Sequence, residues 1–347
     1  MKKLILFSLL LLSLNIRASI IDDIYKALET GDRKQARTLI DQAILKPESK
    51  VDAQFILMLL NIIDNKKDIY KVMEKAYPSL SDPSPYLYSL WFTDALTGGY
   101  GKKETSRLEA LNKMLLGPKA SGSIQAAAKY VIGAHYLFSN NFEEAQKVWS
   151  EVGSIKEWQM TGPFDNSSGS GFNKKYPPID QPQPDASFIS STNSKIGWFR
   201  SAEFQKDPWI ATGNHIVAGQ AIVYAQTFLN SPMDMDATIS LGGSGSVKLW
   251  VNDNMVIENE DEYVTELDVY NSKVKLKKGN NRILIQLGFT QNTAYPNFIL
   301  RVVDSKYQSI KGLTYSSTYK PYPKSKEDVT NPKIEHFAES FFKKKIA

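Results

Sequence analysis

The chain has no cysteine, and only three of its 347 residues are histidine. The first absence excludes disulfides, thiolate metal sites and a cysteine nucleophile. The second leaves His135, His215 and His336 in three distant regions, a spacing that yields neither a metal triad nor a Ser-His-Asp set. Gly117 to Gly122 spans the length of a phosphate loop but leads into Ser123 rather than lysine. Gly243-Ser244-Gly245 lacks both the nucleophile elbow and the dinucleotide spacing. No catalytic constellation, cofactor or metal is therefore expected.

An excess of one charge is also missing: 42 Lys and Arg stand against 37 Asp and Glu. No basic stripe interleaved with aromatics is present, so no nucleic-acid partner is expected. An apolar run from Leu4 to Leu14, broken only by Ser8 and Ser13, is preceded by Lys2 and Lys3 and followed by Asn15 and Arg17. Crossing a bilayer takes about 20 apolar residues, so this run reads as a secretory signal peptide, with Ala18 and Ser19 at the cleavage point. Removal of residues 1–18 takes away three basic residues and leaves a net charge near +2. An exported chain, periplasmic or extracellular, with no membrane span after cleavage, is expected.

About 329 residues remain, which is long for one core and predicts two domains. From 19 to 154 the apolar residues recur at helical spacing, as in Ile24, Ala27 and Leu28, then Ala36, Leu39, Ile40, Ala43 and Ile44. Gly31-Asp32 separates the first two helices, and Asn140-Asn141 separates Gly133-Ala134-x-Tyr136 from Ala145 and Val148-Trp149. Both segments resemble tetratricopeptide-type hairpins, in which small residues let paired helices approach closely. Tyr86, Tyr88 and Trp91 are expected to be core, the other reading being a partner groove.

From 155 to 320 the texture changes. Short alternating segments, Ala221 to Leu229, Ala237 to Leu241, Val247 to Val251, Val274 to Leu276, Ile283 to Leu287 and Phe298 to Val303, predict an antiparallel β-sandwich. Between Val247 and Asn252 the aliphatic side chains point one way and Lys248, Trp250 and Asn252 the other. Asn252-Asp253-Asn254 and Lys278-Gly279-Asn280-Asn281 supply tight turns. The stretch from Trp158 through Gly162-Pro163-Phe164 to Tyr176-Pro177-Pro178 is punctuated like loops. Residues 321–347 read as a linker and the start of a further helix with Ile334, Phe337, Ala338, Phe341 and Phe342. The fold class is thus α+β: a repeat-like helical region followed by a sandwich.

Leu241-Gly242-Gly243, Val247 to Asp253, Leu276 to Ile285 and Phe298 to Asp304 together resemble a galactose-binding-like jelly roll, the fold of many carbohydrate-binding modules. Trp158-x-x-x-Gly162-Pro163-Phe164, Gly171-Phe172 and Tyr176-Pro177-Pro178 are similar to the amino-terminal part of large exported bacterial proteins that continue into a transglutaminase-like domain. The resemblance implies a β-sandwich that binds glycan or protein. The catalytic Cys-His-Asp set of such enzymes has no counterpart in a chain without cysteine.

Sugar binding needs an exposed aromatic ring beside amide or carboxylate groups, because pyranose faces are apolar and their rims polar. Trp198, Trp209, Trp250 and Tyr263, with Asn252 and Asp253, are the candidates. The acidic run Glu258, Glu260, Asp261 and Glu262 lacks the spacing of a calcium loop and reads as a solvated hairpin edge. Two functions are consistent with these residues: an exported non-catalytic binding or scaffolding protein, or the non-catalytic amino-terminal portion of a larger transglutaminase-like or peptidase-like envelope enzyme.

Overall fold

The computed structural model describes residues 19–64, 66, 69–79, 105–116, 122–201, 207–216, 219–290, 296–326, 328–332 and 343. The signal segment, Tyr86, Tyr88, Trp91 and His336 lie outside them. Among the described residues no helix is long and apolar enough to cross a membrane.

Seven α-helices precede the strands among the described residues: α1 Ile20–Glu29, α2 Arg33–Ile44, α3 Lys50–Ile63, α4 Ile69–Ala76, α5 Thr105–Leu116, α6 Gly122–Phe138 and α7 Phe142–Ser150. Local chemistry sets several ends. Ser19 and Asp22 exchange backbone and side-chain hydrogen bonds in a capping box that starts α1. The Asp32 side chain accepts from the Gln35 amide to start α2, and Gly31, at a φ of 78°, makes the reversal between them. Ile21, Ile24, Ile40, Ala43, Ile56 and Leu60 form the core of the first three helices. In the last hairpin the Trp149 ring of α7 lies against Gly133 of α6, where a Cβ would sit 2.3 Å from the ring. Its indole N–H donates to the Tyr130 carbonyl at 3.0 Å.

Twelve strands follow among the described residues: β1 Gln159–Asp165, β2 Ser187–Ile189, β3 Lys195–Gly197, β4 Phe199–Arg200, β5 Ile210–Ala211, β6 Ala221–Ser231, β7 Met235–Val251, β8 Asn254–Val264, β9 Tyr270–Leu276, β10 Gly279–Phe289, β11 Asn297–Val303 and β12 Thr314–Ser316. All the pairings are antiparallel. The fold is α+β, with helices first and a curled sandwich-like sheet after them. Its hinge is β7, a single 17-residue strand. The first half of β7 pairs with β9 and β11, and the second half with β8 and β10. Gly242 to Gly245 make the bend: Gly245 has a φ of 95°, and a Cβ on Gly242 would lie 2.1 Å from the Glu266 carbonyl oxygen. β7 thus joins Ala237 to Leu241 and Val247 to Val251, which the alternation alone predicts as separate strands, because the chain bends at the glycines without leaving the sheet.

Alternation along the strands fixes the core. Ile239, Leu241, Val247, Leu249 and Val251 of β7 point inward with Val223, Ala225 and Leu229 of β6, Ile283, Ile285 and Leu287 of β10, and Phe298, Leu300 and Val302 of β11. Burying 20 or more such side chains at roughly 2 kcal/mol each is the main term holding the two layers together. Asn252 and Asp253, at φ of 53° and 65°, make the two-residue turn into β8.

Candidate functional site

The sandwich has two outer faces and one open side. On the sheet containing β6, β10 and the second half of β7, the outward row is Ile222, Tyr224, Gln226 and Phe228, then Arg282, Leu284 and Gln286, then Lys248 and Trp250. Residues 166–201, with the end of β1, cover this face. Phe164, Tyr176, Phe188 and Trp198 of the cover pack with Ile222, Tyr224, Trp250 and Leu284 into a second core. Trp198 and Trp250 are 9% and 8% exposed, and Trp198 donates its indole N–H to the Gln181 carbonyl at 2.8 Å. Neither ring presents a free face to a sugar.

The polar side chains of that face hold the cover. Arg282, buried, donates to the carbonyls of Pro178 and Ile179 at 2.7 Å each, to Gln226 Oε1 at 3.0 Å and to Asp253 Oδ1 at 3.1 Å. Gln226 donates to the Pro182 carbonyl at 3.0 Å and Gln286 to that of Phe172 at 2.9 Å. Lys248 Nζ lies 2.8 Å from both Asn173 Oδ1 and Glu258 Oε1, and 4.3 Å from the Phe172 ring centre. The cover holds only short strands and single 3-10 turns, so many of its carbonyls need donors from outside, and these side chains supply them.

Asn252 and Asp253 also serve the framework. Asn252 is fully buried, donates to Asn281 Oδ1 at 2.7 Å and accepts the Arg282 amide at 2.9 Å. Asp253 accepts from Arg282 and from the Tyr322 hydroxyl at 2.9 Å. The segment after β12 runs over this corner, with Tyr319 and Tyr322 against Phe228 and the Ser325 amide donating to the Asn252 carbonyl at 2.9 Å. It continues to β9, where the Lys273 amide donates to the Thr330 carbonyl at 2.8 Å.

The second outer face, on β11 and the first half of β7, carries the helices. Ala126, Ala134, Ala145, Trp149 and Val152 pack on Leu267 and Ile299, with Trp209 at the border. Trp209 is half-buried there, edge-on to Tyr130 at 6.4 Å. Beneath the joint, buried Asp268 ion-pairs with buried Arg301 and accepts from the Ser123 hydroxyl at 2.6 Å. Arg301 Nε also donates to the Val152 carbonyl at 2.8 Å.

Tyr263 differs from the other candidates: it is 54% exposed. It follows a bulge in β8, where Asn259 opposes Val247 but Tyr263 opposes Gly245, so that four residues of β8 match two of β7. The bulge throws Glu260, Asp261 and Glu262 outward. The Tyr263 hydroxyl donates to Asp261 Oδ2 at 3.3 Å. Asn259 donates to the Asp261 carbonyl at 2.7 Å and to the Tyr270 hydroxyl at 3.3 Å, linking β8 to β9 across the open side. Burial pushes the Tyr270 hydroxyl up to about 12, helped by the charges of Tyr263, Asp261 and Glu266. Burial also pushes the Glu266 carboxyl up to about 7, against the opposing hydrogen bond from its own amide. Glu258 is drawn away to Lys248. Among the described residues no group of three or more histidine or acidic side chains could hold a metal ion.

Solved structures with a likeness to the chain stand beside this geometry. A family 35 carbohydrate binding module from an environmental isolate is 17% identical over 29% of this chain and 74% of its own, with a TM-score of 0.20. The PA14 domain of the MpAFP antifreeze protein is 10% identical over 29% of this chain and 54% of its own, with a TM-score of 0.22. A beta-glucosidase from Kluyveromyces marxianus is 15% identical over 31% of this chain, which spans only 14% of that enzyme, with a TM-score of 0.24. No family model matches the chain, and no curated protein matches it.

Of the six residues singled out from sequence, the structure brings Trp198, Trp250, Asn252 and Asp253 into the cover and its framework, and Trp209 into the joint. Tyr263 alone of the six stands in the open, bonded to Asp261, which with Tyr270 is held by Asn259. Asn259 and Tyr270 are not among the residues the sequence singles out. The signal for them was an acid-rich strand flanked by two tyrosines, which reads equally as a solvated edge.

Proposed function

We propose that this is an exported, non-catalytic binding protein whose sandwich takes a glycan at its open side, between β8 and β9. One observation carries the reading. Tyr263 sets a ring face in solvent next to a carboxylate, an amide and a phenol, the combination that a pyranose with an apolar face and a polar rim requires. The two sheet faces are occupied by the chain's own cover and helices, which leaves the open side for a ligand and gives it a stiff support. The leader at Lys2 to Leu14 supports export.

Binding of the purified chain to a broad glycan array, repeated with Tyr263→Ala and Trp250→Ala, tests the proposal. A hit lost in Tyr263→Ala, in a protein that still melts at the parental temperature, supports it. Loss only in Trp250→Ala, with folding intact, places the ligand elsewhere, and silence across the array makes the sandwich a spacer that orients the helices.

A further inference from the structure

One end of the sandwich is basic and carries an exposed apolar side chain. Its turns bind one another: the Lys278 amide donates to Asp234 Oδ1 at 2.6 Å, and Asn280 accepts from Asn230 at 3.0 Å and donates to the Pro321 carbonyl at 3.3 Å. A Cβ on Gly312 would lie 3.9 Å from Pro232. These contacts gather Lys278, Lys311, Lys320 and Lys324 around the turn between β6 and β7. The first three are exposed and ion-pair with no carboxylate among the described residues, and Lys324 lies 3.5 Å from Asp253 with its side chain 78% exposed. Asp253 already answers buried Arg282, and Asp236 stands opposite Lys275 in the β7–β9 pair. Asp234, bound to the Lys278 amide, cannot offset the ammonium groups around it. Met233 supplies an independent observation: it lies in the same turn and is 58% exposed, beside exposed Pro232. The opposite charge is at the other end of the strand, where Glu260, Asp261 and Glu262 stand exposed by the bend at Gly245. At about 3.3 Å per residue along β7, the two ends are roughly 20 Å apart.

We propose that this basic end docks on an anionic phospholipid surface, the lysines on the lipid phosphates and Met233 within the headgroup layer. The two-ended charge sets the orientation, since a negative surface draws the lysines and repels Glu260, Asp261 and Glu262. An acidic polymer would satisfy the lysines but leave Met233 in water, so the methionine decides for lipid. Tyr263 pairs with Gly245 at the far end, and the docking therefore holds whether or not a glycan binds there.

Flotation of the mature chain, freed of its leader, with phosphatidylcholine vesicles that contain or lack phosphatidylglycerol tests this. Binding is expected only to the anionic vesicles and is expected to weaken as salt rises. Each of Lys278→Gln, Lys311→Gln, Lys320→Gln and Lys324→Gln should weaken it about fivefold, and all four together about a hundredfold or more. Met233→Ser should weaken it about fivefold with the melting temperature unchanged. Glutamine at Lys34, Lys46, Lys147 and Lys195, which are exposed elsewhere, removes the same charge and should leave most of the binding. Equal loss in that control, equal binding to neutral vesicles, or silence toward both overturns the docking face. Capture on polygalacturonate beads that Met233→Ser does not weaken, with the vesicles left unbound, overturns lipid in favour of an acidic polymer.

Discussion

Replacing Arg282 by methionine tests whether the cover over the β6–β10 face is an integral layer. Methionine fills similar volume but offers no donor. The Pro178 and Ile179 carbonyls, each 2.7 Å from the guanidinium, then lose their partners. Gln226 can turn, and Asp253 keeps the Tyr322 hydroxyl, so the two carbonyls dominate the cost. At about 1–3 kcal/mol for each buried unsatisfied group, the loss centres near 4 kcal/mol, in line with the roughly 3–5 kcal/mol expected for removing one partner of a buried ion pair. That is a large part of the roughly 5–15 kcal/mol by which domains are stable. Urea unfolding followed by tryptophan fluorescence reads the loss directly, and limited proteolysis reports whether residues 166–201 become cleavable before the rest. Arg282→Lys should recover little, because one ammonium cannot span both carbonyls. A loss under about 1 kcal/mol in the methionine variant, with the cover still protected, would refute the reasoning.

Trp250→Ala should behave as a core truncation and cost about 3–5 kcal/mol, while Tyr263→Ala should leave the unfolding midpoint within about 0.5 kcal/mol of the parent; comparing the two by thermal melts separates core from surface. Glu266 has a folded pKa raised from 4.5 to about 7, so the folded form holds its proton more tightly than the unfolded chain. Its contribution to stability is therefore full below about pH 4.5 and is lost as pH rises through 7, by about 3 kcal/mol unscreened and about 1–2 kcal/mol once solvent screening is allowed for. Glu266→Gln should flatten this part of the pH–stability curve, and an unchanged slope between pH 5 and 8 would count against the burial. At the joint, a Cβ on Gly122 would lie 1.8 Å from the Tyr307 carbonyl oxygen, so Gly122→Ala should force α6 off the sandwich at a cost of about 1–3 kcal/mol, seen as a lower melting temperature.

The class of each half, and which way its strands face, follow from local patterns along the chain. Helical spacing at Ile24, Ile40 and Ala43 and alternation at Val247, Leu249 and Val251 are local patterns, and the structure places all six inside. Asn252-Asp253 and Gly279 announced their turns because few other residues accept a positive φ. The tertiary structure alone decided what lies on each face. Period-two arithmetic put Trp250 opposite the main core but could not count the layers, since its covering residues, Phe188 and Trp198, come from an earlier, loop-like stretch. It also decided that Gly242 to Gly245 bend one strand rather than end it, because β9 and β11 hold one half while β8 and β10 hold the other. The exposed neighbourhood of Tyr263 is likewise a product of pairing. Asn259 and Tyr270 meet there because β8 and β9 pair with the same long strand, β7, and a periodicity read along the chain carries no information about which strands share a partner.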